Sequence, residues 1–362
     1  MNILSIITAA YNAEAFISHL IDSIVCQPVQ VEYIIVNDGS TDNTKYICEE
    51  YIKKYKNIRL INTDNKGAGA ARNIGIKAAT GKYLIFVDSD DLLFNNVIND
   101  SLLNFLEQSA AQNIDIISTA IGSTDVNLIN KPIIIQPQNS ADIEGSLPWL
   151  EFWSFIYRRD FIIKNNIVFF EYQEQDVESA FRYRAFSKTS NIKVAPKYSY
   201  YLRRVNPTSN MHTLNYYKLF RIKSKIYAQL VDESIYNKRP KTETIRLQYT
   251  EIECIYCYFK YTWKNGHEDT PNYQVYYNEI KKLFLKRIKG ALLYMNYRHL
   301  ESICRYLYYI LYIQCFLSFK IIEKKPAAQV VEHAKVPLQF NDESRIIERL
   351  AKWSQEVVFE KK

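Results

Sequence analysis

The chain has 362 residues, 48% hydrophobic and 23% charged, enough to bury a full core and long for a single domain. Forty-six Lys and Arg against thirty-nine Asp and Glu leave a net charge of +7. That excess suits an anionic nucleotide or an acidic membrane surface and is too small to indicate nucleic acid by itself. Six cysteines (Cys26, Cys48, Cys254, Cys257, Cys304, Cys315) follow no framework spacing, which reads as reduced, mostly buried thiols of a cytosolic protein. Cys254 and Cys257 form a lone C-x-x-C in an aromatic helical stretch, where core packing is the expected role.

Met1–Thr8 has no basic leader and turns polar at Tyr11-Asn12, so it reads as a first strand, Ile3–Ala9, rather than a signal peptide. A helix over Glu14–Cys26 follows, then a strand over Tyr33–Val36 closed by Asn37-Asp38-Gly39-Ser40. Thr41 or Asp42 can cap a second helix running to about Lys54. A strand over Ile58–Asn62, a helix over Ala68–Ala79 and a strand over Lys82–Val87 complete a β-α-β-α series. Such alternation predicts an α/β fold: a Rossmann-like, mostly parallel sheet with helices on both faces.

The apolar run Tyr83–Val87 ends in Asp88-Ser89-Asp90-Asp91. Ligands of parallel sheets lie beyond the carboxyl ends of the strands, and carboxylates this crowded require a cation or hydrogen-bond donors. A divalent hard ion shared with phosphates is one such partner, while an acidic helix cap is the structural alternative. Beyond it, Leu92–Gln108 reads as a helix and Asp115–Ala120 as a strand. Val126–Ser140 reads as an irregular excursion with another short strand, and Pro148–Asp160 is densely aromatic. An acidic amphipathic helix over Glu171–Phe186 and two late strands, Ile192–Val194 and Tyr198–Arg203, complete the sheet.

From residue 213 to 362 long helical patterns rich in Tyr, Lys and Arg take over, so a domain boundary is expected near 212. Tyr277–Lys325 joins a basic helix to an apolar one, Ile303–Phe319, that carries Arg305 and Gln314. It suits either a basic amphipathic segment lying in an anionic membrane face or a bundle packed onto the first domain. The tail after Pro326 ends in an amphipathic helix over Ser344–Val357.

Four motifs occur in order: Thr8-Ala9-Ala10-Tyr11-Asn12; Val36-Asn37-Asp38-Gly39-Ser40-Thr41-Asp42; Asn65-Lys66-Gly67-Ala68-Gly69-Ala70-Ala71-Arg72-Asn73-x-Gly75; and Asp88-Ser89-Asp90-Asp91. Together, over roughly residues 1–212, they resemble glycosyltransferase family 2, the inverting bacterial sugar transferases of GT-A fold. The resemblance implies that Thr8 lines the donor site, that Tyr11 in the loop after it stacks on the uracil of a UDP-sugar and that Asp38 accepts from the base imide. It places Arg72 near the nucleotide, Asp88 at the ribose, Ser89 among the donor-binding residues, and Asp90 on a Mn²⁺ or Mg²⁺ ion bridging the diphosphate. Arg203 and Arg204, with Thr208 and Ser209, resemble the segment that closes over the diphosphate, and His212 is near enough in sequence to join the metal. The Gly67-x-Gly69 pair is no dinucleotide fingerprint, since Arg72 stands at the third glycine position.

The family's Glu-Asp pair reads Gln175-Asp176 here, so Asp176 is the implied general base and the missing Glu bears on acceptor binding. Glu174 and Glu178, two positions to either side, are expected on other helix faces. Trp149, Phe152 and Trp153 fit either a stacking wall for the acceptor sugar or the core. The implied reaction is transfer of a sugar to a hydroxyl of a surface polysaccharide or lipid-linked glycan at the inner membrane face. Two rivals remain: a nucleotidyltransferase, which would want a glycine- and basic-rich first loop, and a catalytically silent nucleotide-binding assembly protein.

Overall fold

The structure is a computed structural model that describes residues 2–125, 133–135, 152–171, 178–205 and 225–234, together with Ile255 and Lys282. Residues 2–205 of this set belong to one unit, and those from 225 onward to a second. In the second, residues 225–234 are helical, with Ile226, Leu230, Val231 and Ser234 buried at helical spacing. The expected helices in Tyr277–Lys325 and Ser344–Val357 lie outside the described residues, apart from Lys282.

The first unit is built on β1 (Leu4–Ala10), β2 (Glu32–Asp38), β3 (Ile58–Thr63) and β4 (Tyr83–Phe86). All pair in parallel, in the order β3-β2-β1-β4. β1, β2 and β4 are largely apolar and buried because helices cover them, β2 and β4 at every position, whereas β3, at the end of the strand order, is mostly exposed or half-buried. The helices are α1 (Ile17–Val25), α2 (Thr44–Lys54) and α3 (Ala68–Ala78). Gly75 lets α3 lie close on β1, since a Cβ there would come within 2.4 Å of Ile7 Cγ2. This arrangement is the α/β GT-A fold expected from the motifs.

Beyond β4 the sheet becomes mixed. The remaining strands are β5 (Leu92–Leu93), β6 (Ile116–Asp125), β7 (Ile133–Ile135), β8 (Phe155–Arg158) and β9 (Ile192–Val205). The order continues β4-β8-β6-β9-β5, with β7 paired to β6. β8 is antiparallel to both β4 and β6, whereas β6 and β9 run parallel.

Two expectations need correction. Leu92–Gln108 is not one helix: Leu92 and Leu93 pair with Leu202 and Tyr201, and α4 (Asp100–Ala111) begins only after Asn99 accepts from the Leu102 amide. Between them, Gln27 holds the chain extended by donating to the Phe94 carbonyl and accepting from the Val97 and Ile98 amides. Those tertiary bonds replace the helical ladder, and positive φ at Asn96 marks the bend. The two late strands are one, β9, whose register against β6 slips where Thr119 faces Ala195 and Ala120 faces Ser199. Pro196, lacking an N–H, falls in that slip.

A short 3-10 turn (Phe152–Ser154), α5 (Arg159–Lys164) and α6 (Glu178–Phe186) complete the unit. Of the expected helix Glu171–Phe186, Glu171 is not helical, residues 172–177 lie outside the described residues, and Glu178–Phe186 is α6. Phe86 is the hub of an aromatic core, with the rings of Phe152, Phe169 and Phe181 at 5.3–5.7 Å and Tyr157 at 6.0 Å. Each contact joins β4 to a different later segment, so the motif-bearing strand is anchored from several directions.

Candidate active site at the carboxyl edge of the sheet

The loops after β1, β2 and β3 are stitched together by polar side chains. Asn12 donates its amide to Ser40 and accepts from the Thr41 amide. The Glu14 amide donates to Asp42, and the Glu14 carboxylate accepts from the Asn43 amide. This lattice holds Tyr11, which follows β1, with its side chain 47% exposed. An exposed aromatic ring on an ordered loop can stack on a planar base.

Asp38, at the end of β2, is buried and accepts from the Lys66 and Gly67 amides at 2.9 Å each. It therefore fixes the β3–α3 loop as well as ending β2. Gly39 and Gly67 both have positive φ there, and a Cβ on Gly39 would come within 2.7 Å of the Asn65 amide nitrogen. Thr8 differs from expectation in the direction of its side chain: it is fully buried and accepts from the Tyr33 hydroxyl, so it lines the interior rather than the crevice.

Arg72 is buried in α3 and carries most of the local charge balance. Its Nη2 donates to Asp88 at 2.7 Å and its Nη1 to Glu178 at 2.9 Å. The guanidinium lies over the rings of Phe152 and Phe169, at 4.5 and 5.4 Å from their centroids. Burial by itself would push this group down, but Glu178 and Asp88 beside it hold it above the usual arginine range. Its neighbour Asn73 is equally buried, accepting from the Phe169 amide while donating to the Phe169 carbonyl and to Glu171.

The carboxylates after β4 fall into different environments. Asp88 and Asp90 are partly exposed and Asp91 is buried. The Tyr201 hydroxyl donates to Asp91, and the Tyr201 ring stacks on Trp153 at 4.2 Å. Burial, with the charges of Asp88, Asp91 and Asp90 nearby, raises the Tyr201 phenol well above its usual value and keeps it a donor. Ser89 is partly exposed in the same turn. Phe152 and Trp153 are buried, so they belong to the core rather than to an acceptor wall.

Among the described residues, no three His, Cys, Asp or Glu converge into a metal-holding group. The turn still suits Mn²⁺ or Mg²⁺, because these ions are commonly held by one or two carboxylates together with phosphate oxygens and water. Its oxygen donors are of the right hardness, and Asp90 is partly exposed to receive such an ion, while Asp88 is held by Arg72.

The structure brings Tyr11, Asp38, Arg72, Asp88, Ser89 and Asp90 to one edge of the sheet, with β1 and β4 adjacent. The backbone of Arg203 continues β9 past Tyr201. Trp149, Glu174, Gln175, Asp176, Thr208, Ser209 and His212 lie outside the described residues. The sequence reading assigned no role in the site to Glu178, Asn73 or Tyr201. For Glu178 one signal was available: a buried arginine beside an acidic turn needs more than one counter-charge.

Cys48 is a buried free thiol, pushed up to about 12 by burial and by the charges of Glu49 and Asp42. That agrees with an inert core cysteine, whereas Cys26 is exposed. Among the described residues, no helix is long and apolar enough to cross a membrane.

Comparison with known proteins follows the same line. Residues 5–165 match the family described as Glycosyl transferase family 2. The chain is 31% identical over 252 residues to the glycosyltransferase YibD of Escherichia coli, covering 64% of this chain and 73% of that one. It is 33% identical over 221 residues to the glycosyltransferase EpsJ of Bacillus subtilis, and the match spans 57% of this chain and 62% of EpsJ. A Bacillus spizizenii poly(ribitol-phosphate) beta-glucosyltransferase is 29% identical over 204 residues, covering 55% of this chain and 32% of that enzyme. In fold, the crystal structure of S. aureus TarS 1-349 matches with a TM-score of 0.57 at 19% identity, covering 86% of this chain and 91% of that one. The chain belongs to glycosyltransferase family 2.

Proposed function

We propose that the protein transfers a sugar from a nucleotide sugar, a UDP-sugar in this reading, to a hydroxyl of a surface polysaccharide or lipid-linked glycan. The observation that carries it is the placement of Tyr11 and Asp88. They follow β1 and β4, neighbouring strands whose connections run to opposite sides of β1, which makes this the switch point where α/β sheets bind ligands. Family membership supplies the reaction class. The similar TarS, crystallised with UDP-GlcNAc, and the related poly(ribitol-phosphate) beta-glucosyltransferase support a nucleotide-sugar donor and a polymer as acceptor.

In this mechanism Tyr11 stacks on the base and Asp38, which also holds the Lys66 and Gly67 amides, accepts from the base imide. Asp88, oriented by Arg72, hydrogen-bonds the ribose, and Ser89 lines the same turn. Asp90 would hold a Mn²⁺ or Mg²⁺ ion, with His212 as a further candidate ligand; when bound, the ion neutralises charge on the departing diphosphate. Arg203 and Ser209 would close over the phosphates. Asp176 takes the proton of the acceptor hydroxyl as its oxygen bonds to the anomeric carbon and the bond to the diphosphate breaks. One displacement of this kind inverts the anomeric configuration. The basic region from 213 to 362 would dock the enzyme on the inner, anionic face of the cytoplasmic membrane.

The test is release of nucleoside diphosphate from a panel of nucleotide sugars, with and without Mn²⁺ or Mg²⁺. Metal-dependent release of UDP from one donor is the expected result and names the sugar. Tight UDP binding with no release, even with glycan acceptors added, would favour an assembly protein that keeps only the nucleotide site.

A further inference from the structure

Two adjacent residues of α3 reach in opposite directions along the chain. Asn73 fixes Phe169 through both backbone groups and reaches Glu171, while Arg72 reaches Glu178, the first residue of α6. Six residues, 172–177, separate the two anchored positions, and Asp176 stands two before Glu178 in sequence. Arg72 has a second arm, on Asp88 at the end of β4. One buried guanidinium therefore joins the donor-side turn to the start of α6, with the aromatic faces of Phe152 and Phe169 against it.

We infer that Glu178 is a positioning residue. Through Arg72 it sets where the N-terminus of α6 stands relative to Asp88 on the donor side; the proposed base, Asp176, lies two residues earlier in sequence. The inference rests on the glycosyltransferase reading. Its physical basis is the geometry of the guanidinium, which is planar and rigid, so carboxylates on Nη1 and Nη2 are held at a fixed mutual angle. A lysine at the same place would supply charge without that constraint. Catalysis by a positioned base is sensitive to placement: an error of about 1 Å can cost on the order of 100-fold in rate.

The two arms of Arg72 make the idea separable from a role in donor binding. Glu178→Gln removes the charge on Nη1 and leaves the Nη2 bond to Asp88 in place. The experiment is steady-state transfer kinetics of the full chain with the best donor of the panel, beside thermal melting and calorimetric UDP binding. For Glu178→Gln, kcat is expected to fall about tenfold or more, with the donor KM and UDP affinity within about threefold of wild type. Glu178→Asp keeps the charge but shortens the reach by one methylene, and should give an intermediate kcat; if the Gln variant does not fold, the same split in the Asp variant decides.

An unchanged kcat, measured below the melting temperature, overturns the inference and leaves Glu178 a structural counter-ion. A raised donor KM with kcat intact also overturns it, because it places Glu178 in donor binding. Failure of the wild type to bind UDP or turn over any donor is a distinct result: it removes the glycosyltransferase reading and this inference with it.

Discussion

The parallel sheet carries buried carboxylates at both ends, and the two ends are built differently. At the amino end Glu32 accepts from the Ser5 hydroxyl at 2.5 Å, the Thr80 amide at 2.7 Å and Arg59 at 3.2 Å. Ser5 in turn accepts from the Gly81 amide, closing the cluster onto the start of β4. Its partners come from neighbouring strands and turns of the same β-α-β framework, and the arrangement ties β1, β2 and β4 together. At the carboxyl end three carboxylates lie within four residues; Asp88 is held by Arg72 from α3 of the same framework, and Asp91 by Tyr201 on β9, 110 positions away. Asp88 and Asp90 remain partly exposed there. A buried carboxylate held by several donors stabilises a fold, whereas carboxylates gathered at an open strand end are suited to a ligand. The difference teaches that burial of acidic groups alone does not mark a site; their gathering, still partly exposed, at one strand end does.

Substitutions at the two ends should separate these roles. The largest structural effect is expected from Arg72→Met, which strands Asp88 and Glu178 without their shared cation. Breaking a fully buried pair costs about 3–5 kcal/mol, and partial exposure of both carboxylates lowers the expectation here to about 2–3 kcal/mol. Chemical denaturation would read that loss, and donor turnover should fall with it. Tyr201→Phe removes the hydroxyl that donates to buried Asp91, at a cost of about 1–3 kcal/mol. Its melting temperature should drop and its UDP affinity in Mn²⁺ should weaken, because the turn bearing Asp90 loses its anchor to β9.

Glu32→Gln is the smallest of the set at neutral pH, about 1 kcal/mol, and its interest lies in its pH dependence. Burial tends to raise the Glu32 carboxyl, but the bonds from Ser5, Thr80 and Arg59 outweigh it and hold the group below the usual value of 4.5. A carboxylate lowered in the folded state contributes stability above its unfolded pKa and loses it as pH falls through the folded one. The wild type should therefore lose stability below about pH 4.5 through this group, and Glu32→Gln should show a shallower acid limb. An identical acid limb in the two proteins would dismiss the cluster as a contributor.

Much of the first unit was legible in sequence because its signals are local. Strand runs, helical spacing and the turn residues of β1 to β4 place Tyr11, Asp38 and Asp88 at one edge without any tertiary knowledge. The helix expected over Leu92–Gln108 failed for the opposite reason. Gln27, some 70 positions earlier, decides the backbone of Phe94–Ile98, and no local pattern encodes such a bond. The same holds for Glu178 and Tyr201, whose partners are 106 and 110 positions away. Thr8 shows a subtler limit: a motif position can lie at the right strand end while its side chain alternates into the core.

The most direct test of the contrast between the two ends is calorimetric UDP binding in Mn²⁺ for wild type, Asp90→Ala and Glu32→Gln. Wild type and Glu32→Gln should bind with closely similar, metal-dependent affinity, and Asp90→Ala should lose the metal-dependent part, with turnover down at least about 100-fold. Equal binding by all three proteins, unaffected by removing the metal, would contradict the assignment of the carboxyl-end aspartates to a metal-assisted donor site.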